Sequence, residues 1–245
     1  MNIFTPLNHL IQYVFDAGLT NTLYWLWPIL NYTVLMLFCL RYRRHYGLSK
    51  LQAIGSLAIV FVTGFLWMLL MGWAASGFTR FGDNNIVKGY CFFALFSLIP
   101  AKLFKLDKKV IWDFIAPACA LTQVTGHLSC NFAGCCHGYP WKYGVWNIAV
   151  QDYLFPTQLL ESLVALLVCL ACIRYAKSSK YSADGKVYPF FLVSFGATRF
   201  FLEFLRDNEK LFWGISELAL WAVLMVVVGI VWFWIVSFRT RRDHA

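Results

Sequence analysis

The sequence predicts an all-α integral membrane protein with about seven transmembrane helices and an N-terminal interfacial helix. Three observations predict it: an apolar composition, apolar stretches of bilayer length, and basic residues gathered in alternate loops. Of the 245 residues, 60% are hydrophobic and 19% aromatic, while only 13% are charged. A soluble domain carries about 25% charged residues, so this chain could not cover its surface in water.

A spanning helix needs about 20 mostly apolar residues. The stretches 22–40, 54–75, 86–104, 111–133, 156–173, 188–205 and 214–238 meet that need. The third is the least regular, because Lys88 lies near one of its ends. Short connections favour an antiparallel helical bundle. In hydrocarbon the backbone must satisfy its own hydrogen bonds, which helices do. Ahead of the bundle, Ile3, Leu7, Leu10, Ile11, Val14 and Phe15 recur at helical spacing. That spacing predicts a short amphipathic helix in the interface. No basic region precedes the first apolar run, so no cleavable signal peptide is expected. One polytopic domain over residues 1–245 accounts for the whole, with an arm at 1–20 and the bundle at 22–238.

The net charge is +9. Arg41, Arg43, Arg44 and Lys50 form one basic loop. Lys102, Lys105, Lys108 and Lys109 form the next. Arg174, Lys177, Lys180 and Lys186 follow, then Arg239, Arg241 and Arg242. The opposite loops hold few cations. This alternation is a topology signal, not a nucleic-acid surface, and it predicts an external N-terminus with a cytoplasmic C-terminus. The loops near 76–85, 134–155 and 206–213 then face outward, and Tyr139, Trp141, Tyr143, Trp146 and Trp213 form an outer aromatic belt.

Ionisable groups inside spans carry the functional information, because each costs roughly 2.5–3.5 kcal/mol to insert without a partner. Arg199, Glu203 and Arg206 share one face of the sixth span. Two guanidiniums and one carboxylate leave that face net positive, suited to a phosphate; a structural ion pair is the alternative. Gln158 and Glu161 lie three apart at the start of the fifth span, just after Pro156. Catalysis and interhelical hydrogen bonding compete for them, as for Asp113 and Glu217.

The densest polar run, Gly126 to Gly138, ends the fourth span and turns into the outer loop. It contains His127, Cys130, Asn131, Cys135, Cys136 and His137. Four readings stay open for its thiols: a metal site, a disulfide, an activated nucleophile and inert packing. The adjacency of Cys135 and Cys136 lacks the usual gap between metal ligands. A strained pairing between those neighbours would make Cys130 the better disulfide partner. Cys169 and Cys172 also form a C-x-x-C, but deep in a helix, where packing is expected.

Together these stretches resemble the bacterial prolipoprotein diacylglyceryl transferase family. Asp113-Phe-Ile-Ala-Pro117 with the Gly126–Gly138 run resembles the family signature. Pro156-Thr157-Gln158-Leu-Leu-Glu161 resembles its Pro-Thr-Gln-Leu-Tyr-Glu stretch. Arg199-Phe-Phe-Leu-Glu203-Phe-Leu-Arg206 resembles its Arg/Glu/Arg helix, and Ile215-Ser216-Glu217 the start of its last helix. The resemblance covers about residues 86–238 and is closest to a cysteine-bearing branch. His127 stands where the family carries Arg, Cys130 at an Asn position and Cys135 at an acidic one. Val87-Lys88-Gly89-Tyr90 stands where the family carries His-Gly-Gly.

The resemblance implies an enzyme of the bacterial cytoplasmic membrane that moves diacylglyceryl from phosphatidylglycerol to the lipobox cysteine in a lipoprotein precursor's signal peptide. It implies no cofactor, no metal and no nucleic-acid partner. Arg199, Glu203, His127, Cys130 and Cys135 are then the candidate catalytic residues. Arg206, Gln158, Glu161, Lys88, Cys136, His137 and Tyr24 are the candidate substrate-binding residues. Arg199 would hold the phosphate, Glu203 would orient it, and Arg206 would stand at the mouth. His127 or Lys88 would replace the missing cation or base. The alternatives are another lipid or thiol transferase using Cys130, Cys135 or Cys136, and a non-enzymatic redox, metal-binding or lipid-binding membrane protein.

Overall fold

A computed structural model describes residues 3–79, 86–178 and 183–243. The side chains of Asn21, Tyr24, Trp25, Ala75 and residues 239–243 also lie outside the described residues, and with them the expected role of Tyr24. Nine α-helices appear among the described residues. They are α1 (Thr5–Asp16), α2 (Thr20–Tyr42), α3 (Lys50–Ala75), α4 (Ile86–Phe96), α5 (Leu98–Leu103), α6 (Lys108–Ala133), α7 (Thr157–Lys177), α8 (Val187–Glu203) and α9 (Glu217–Asp243). A 3-10 turn, Arg43–Tyr46, follows α2.

Local chemistry sets several boundaries. Ser49 and Gln52 form a reciprocal capping box at α3 (3.2 and 2.9 Å), which satisfies donors that a helix start otherwise leaves orphaned. Asp107 caps α6 through the Lys109 N–H at 2.8 Å. Gly134, at φ +71°, ends that helix in a left-handed turn.

Helix occupies most of each of the seven sequence-predicted stretches, and four of them hold helices of membrane-crossing length and apolarity. Lys50–Ala74, Ile86–Leu103, Thr157–Lys177 and Glu217–Phe238 are long and apolar enough to cross a membrane. The helix over Ile86–Leu103 is interrupted at one residue, which divides it into α4 and α5. α4 gives way to α5 at Ser97, whose hydroxyl donates to the Ala94 carbonyl at 2.6 Å. The all-α expectation also needs correction. The loop after α6 folds into an antiparallel hairpin of β1 (Pro140–Asn147) and β2 (Asp152–Leu154). Its β-forming aromatic and branched residues, between Pro140 and the turn at Gln151, favour pairing over an open loop.

α1 is helical as its spacing predicts, but its buried face is Asn8, Ile11 and Val14. Ile3 and Leu10 stay exposed. The helix docks on the hairpin: the Asn8 amide donates to the Gly144 carbonyl at 3.3 Å, and its oxygen accepts the Trp146 N–H at 2.8 Å. Phe15 meets the Trp146 ring edge-on.

α6 pairs most extensively with α7, and α8 with α9. Between them lies a core of Tyr90, Phe114, Ile115, Tyr188 and Phe191, all fully buried. Its polar atoms are satisfied. The Tyr90 hydroxyl donates to the Cys119 carbonyl (3.1 Å) and accepts from the Gln123 amide (2.7 Å), and the Tyr188 hydroxyl donates to the Tyr90 carbonyl (2.7 Å). The outside is apolar instead. Leu26, Ile29, Leu37, Phe65, Leu166, Leu170, Val227, Ile230 and Trp234 are all exposed, the pattern of helices solvated by lipid.

Candidate active site

Three helices bring the predicted charges to one place. Glu161, in the first two turns of α7, is the hub. One of its carboxylate oxygens accepts from Nη1 of Arg199 and, at 3.1 Å, from Nη1 of Arg206. The other lies 2.9 Å from Nδ1 of His127 on α6. Glu203, one turn beyond Arg199 on α8, stands 2.8 Å from Nη2 of Arg199. Its other oxygen accepts from the Asn208 amide and from the Ser216 hydroxyl, the latter at 3.0 Å. Glu161, Arg199 and Glu203 are each at most 3% exposed, so charges of opposite sign must face one another here.

The sequence-predicted net positive face is corrected by this geometry. Glu161 joins it and balances the two arginines against two carboxylates. Lys210, which sequence reasoning missed, restores the excess. Its ammonium donates to the carbonyls of Glu203 (3.1 Å) and Arg206 (3.3 Å) and to Oδ1 of Asn208 (2.6 Å). The available signal was a lysine in a loop otherwise poor in cations.

The guanidiniums are not saturated. Nε and Nη2 of Arg199, and Nε of Arg206, are buried without an aligned hydrogen-bond acceptor among the described residues. Nη2 of Arg199 is close to Glu203, but the pair is misaligned for a hydrogen bond. Burial opposes the charge of Arg206, yet Glu161, Cys136 and Glu203 outweigh it and raise its pKa above the ordinary guanidinium value.

The Gly126–Gly138 run wraps this centre. Gln158 donates to the Cys135 carbonyl at 2.9 Å, Thr157 to the Cys136 carbonyl at 2.6 Å, and Ser162 to the Val124 carbonyl at 2.9 Å. The start of α7 therefore fixes the turn that follows α6. Gly138 bridges to Arg206, and the Asp207 N–H donates to the His137 carbonyl at 3.1 Å. A Cβ on Gly138 would come within 2.7 Å of the Leu205 carbonyl, so only glycine allows this approach. His137 itself turns its ring to the Gly138 carbonyl, with Nδ1 at 3.2 Å.

The thiols of Cys130, Cys135 and Cys136 are free and meet one another. Cys136 sits at φ +59°, a conformation that L-residues adopt at a cost. Hydrogen bonds from Cys130 and Cys135, with lesser help from His127 and Arg206, hold its thiol well below the usual pKa against the opposing effect of burial. Asn131, on the same helix end, is buried with Oδ1 unpaired among the described residues. Lys88 does not join the centre; it pairs with Glu217 on α9 at 2.6 Å.

A cavity of about 390 Å³ opens beside the thiols, lined by Trp27, Pro28, Asn31, Tyr32, Ser129, Cys130, Phe132 and Cys135 among others. Tyr32 also lines an apolar trough of about 360 Å³ between α2, α3 and α4. A mostly apolar recess that carries a few polar groups, Asn31, Ser129 and the thiols, thus adjoins an apolar one at the side of the bundle.

A mainly helical protein with four helices, among the described residues, long and apolar enough to cross a membrane and a buried Arg/Glu/His centre between its helices belongs to the class of polytopic membrane proteins. The chain belongs to the prolipoprotein diacylglyceryl transferase family, whose sequence model matches residues 85–235. It is 28% identical over 139 residues to the phosphatidylglycerol–prolipoprotein diacylglyceryl transferase of Clostridium tetani, covering 53% of this chain and 54% of that one. A second such transferase of Clostridium perfringens is 24% identical over 171 residues, 66% of each chain. That of Methylobacillus flagellatus is 34% identical over 138 residues, 53% of this chain and 51% of the relative. The chain spans about half to two thirds of the length of these relatives.

Proposed function

We propose that this protein transfers the diacylglyceryl group of phosphatidylglycerol to the lipobox cysteine thiol of a lipoprotein precursor, in the bacterial cytoplasmic membrane. The observation that carries the reading is the pair of buried arginines, Arg199 and Arg206, whose N–H donors are only partly spent on Glu161 and Glu203. Unspent guanidinium donors at low dielectric are a preorganised clamp for a phosphodiester. Lys210 adds a cation at the same end. The recess beside Cys130 and Cys135 and the apolar trough that shares Tyr32 with it are assigned to the acyl chains.

The chemistry required is an alkylation. The acceptor thiol gives up its proton to water, its sulfur attacks the glyceryl carbon, the carbon–oxygen bond to phosphate breaks, and the electron pair leaves on glycerol phosphate. The dianionic leaving group gains charge as that bond breaks, so stabilisation by Arg199 and Arg206 grows towards the transition state. Glu161 and Glu203 hold the guanidiniums in place and offset the repulsion between them. The acceptor thiol is assigned to the His127 and cysteine side of the centre, opposite the clamp. Lys88, paired to Glu217, has no part in it.

The reading includes seven membrane spans in one domain, α1 lying in the interface, an external N-terminus and a cytoplasmic C-terminus. It rests on the loop charges and on seven helical stretches.

Mass spectrometry of a lipobox peptide incubated with the protein and phosphatidylglycerol tests the reaction. The expected result is addition of a diacylglyceryl mass to the peptide cysteine. Arg199→Ala should lower the rate by about 10²–10³-fold, the range for losing one preorganised donor to developing charge. Undiminished turnover by that variant removes Arg199 from the mechanism.

A further inference from the structure

The sequence alone left four roles open for the cysteine-rich turn, and counted the adjacency of Cys135 and Cys136 against a metal. Folding changes the relevant set. His127 and Cys130 are three apart on α6 and so share a face. Gly134 and Cys136, both at positive φ, then reverse the chain and return Cys136 to that face. The ring nitrogen and the two sulfurs come to lie within 4.8 Å of one another. A tetrahedral zinc holds such donors roughly 3.5–3.8 Å apart, given bond lengths of about 2.0–2.3 Å. Small side-chain rotations suffice to close the difference.

A second observation points the same way. Nδ1 of His127 lies 2.9 Å from Glu161, close but not aligned for a hydrogen bond, and a carboxylate on that side leaves Nε2 as the nitrogen for other use. A carboxylate on one imidazole nitrogen and a metal on the other is the usual outer support of a histidine ligand. Arg206 lies beside the Cys136 sulfur, which would offset the charge of a bound thiolate. The backbone strain at Cys136 is also explained if that sulfur must be aimed inward.

We propose that His127, Cys130 and Cys136 bind a zinc ion, and that its fourth position, on the side of the Cys135-lined cavity, takes the acceptor's cysteine thiol. The acceptor role rests on the transferase reading above; the ion site does not. Three protein ligands and an open position are the arrangement of a catalytic zinc. Coordination displaces the thiol's proton to water and leaves a thiolate on the metal. That sulfur attacks the glyceryl carbon of phosphatidylglycerol, the carbon–oxygen bond breaks, and its electron pair departs on glycerol phosphate held by Arg199 and Arg206. The product is a neutral thioether, a poorer ligand than the thiolate, so it leaves the metal. The ion would supply the thiolate activation in a chain that carries Val87-Lys88-Gly89-Tyr90 where the family carries His-Gly-Gly.

Cobalt reports such a site. The full chain in lipid nanodiscs, reduced and freed of metal with a chelator, should bind about one cobalt per chain with tetrahedral, thiolate-to-metal absorption. Cys135→Ser should keep that spectrum, whereas Cys130→Ser and Cys136→Ser should lose it. Glu161→Gln should weaken binding about 10–100-fold. A lipobox peptide should perturb the cobalt bands, and zinc should restore transfer to the chelated enzyme. Wild-type protein that remains folded and binds no cobalt overturns the site, whatever the variants do. Loss of the spectrum in Cys135→Ser overturns the open fourth position. Full transfer by metal-free enzyme overturns the ion's catalytic part and leaves the transferase reading standing. Cobalt binding without any transfer by zinc-loaded enzyme leaves the ion site and overturns its use on an acceptor.

Discussion

Single residues divide into those that hold the active centre and those that hold the opposite end of the bundle, and Asp113 belongs to the second group. It is fully buried on α6. Its two oxygens accept the backbone N–H groups of Gly185 and Val187, each at 2.9 Å. Asp113 therefore supplies, from a neighbouring helix, acceptors that the start of α8 lacks in its own sequence. Asp113→Ala would leave two buried donors unpaired and should cost about 2–4 kcal/mol. Thermal unfolding in detergent should show the loss, and transfer per folded molecule should stay near wild type. Equal loss of activity and stability would place Asp113 in the mechanism instead. The sequence made Asp113 ambiguous because a carboxylate in a span is equally compatible with a cap, an ion pair and a catalytic group.

Among elements, the α1–hairpin unit does most to build a cover over the active end. The hairpin arises from the same loop that carries the cysteine turn, and Asn147 ties the two together. Its side chain donates to the Gly134 carbonyl at 3.2 Å and accepts from the N–H groups of Ala149 and Val150. α1 then lies on β1 through Asn8. Helical spacing revealed α1, but its buried face turned on a polar residue, which a hydrophobic pattern cannot identify. Asn8→Ala removes an acceptor for the Trp146 N–H and a donor to the Gly144 carbonyl, a loss of about 1–2 kcal/mol. Limited proteolysis should cut the variant between α1 and α2 faster than the wild-type chain. An unchanged cleavage rate would show that Ile11, Val14 and the Phe15–Trp146 contact hold α1 without the amide.

At the scale of the molecule, the two ends of the bundle carry different chemistry, and the sequence disclosed them unequally. Helix positions were legible because lipid imposes long apolar runs. Arg199, Glu203, Arg206, Gln158 and Glu161 were legible as candidates because charged and amide groups inside such runs require partners. Their partners were not legible: Glu161 as the hub, Lys210 as the extra cation and Lys88 as a partner of Glu217 depend on how separate helices rotate against each other. Periodicity within one helix contains no such information. The cysteine turn shows the same limit, since positive φ at Gly134 and Cys136 decides which thiols meet. The far end is marked by charge. The 3-10 turn with Arg43 and Arg44 packs on α6, and His45 reaches the Ala176 carbonyl at 2.9 Å. Gly185 lies against Lys109 and Trp112. Basic loops distant in sequence therefore gather at one end, while Cys136, Arg206, Lys210 and the hairpin gather at the other. Of the remaining predicted loop cations, Lys180 and the side chains of Arg239, Arg241 and Arg242 lie outside the described residues. Cations flanking spans stay on the cytoplasmic side, which would put the Arg199–Glu161–Arg206 centre at the outer leaflet, the side from which the proposed acceptor would approach. An epitope tag before Met1 should then be removed by protease added to intact spheroplasts, and a tag after Ala245 should be protected until the membrane is broken. Protection of the first and loss of the second would invert the molecule. The Arg199–Glu161–Arg206 centre would then face the cytoplasm, and an acceptor presented at the outer leaflet could not reach it.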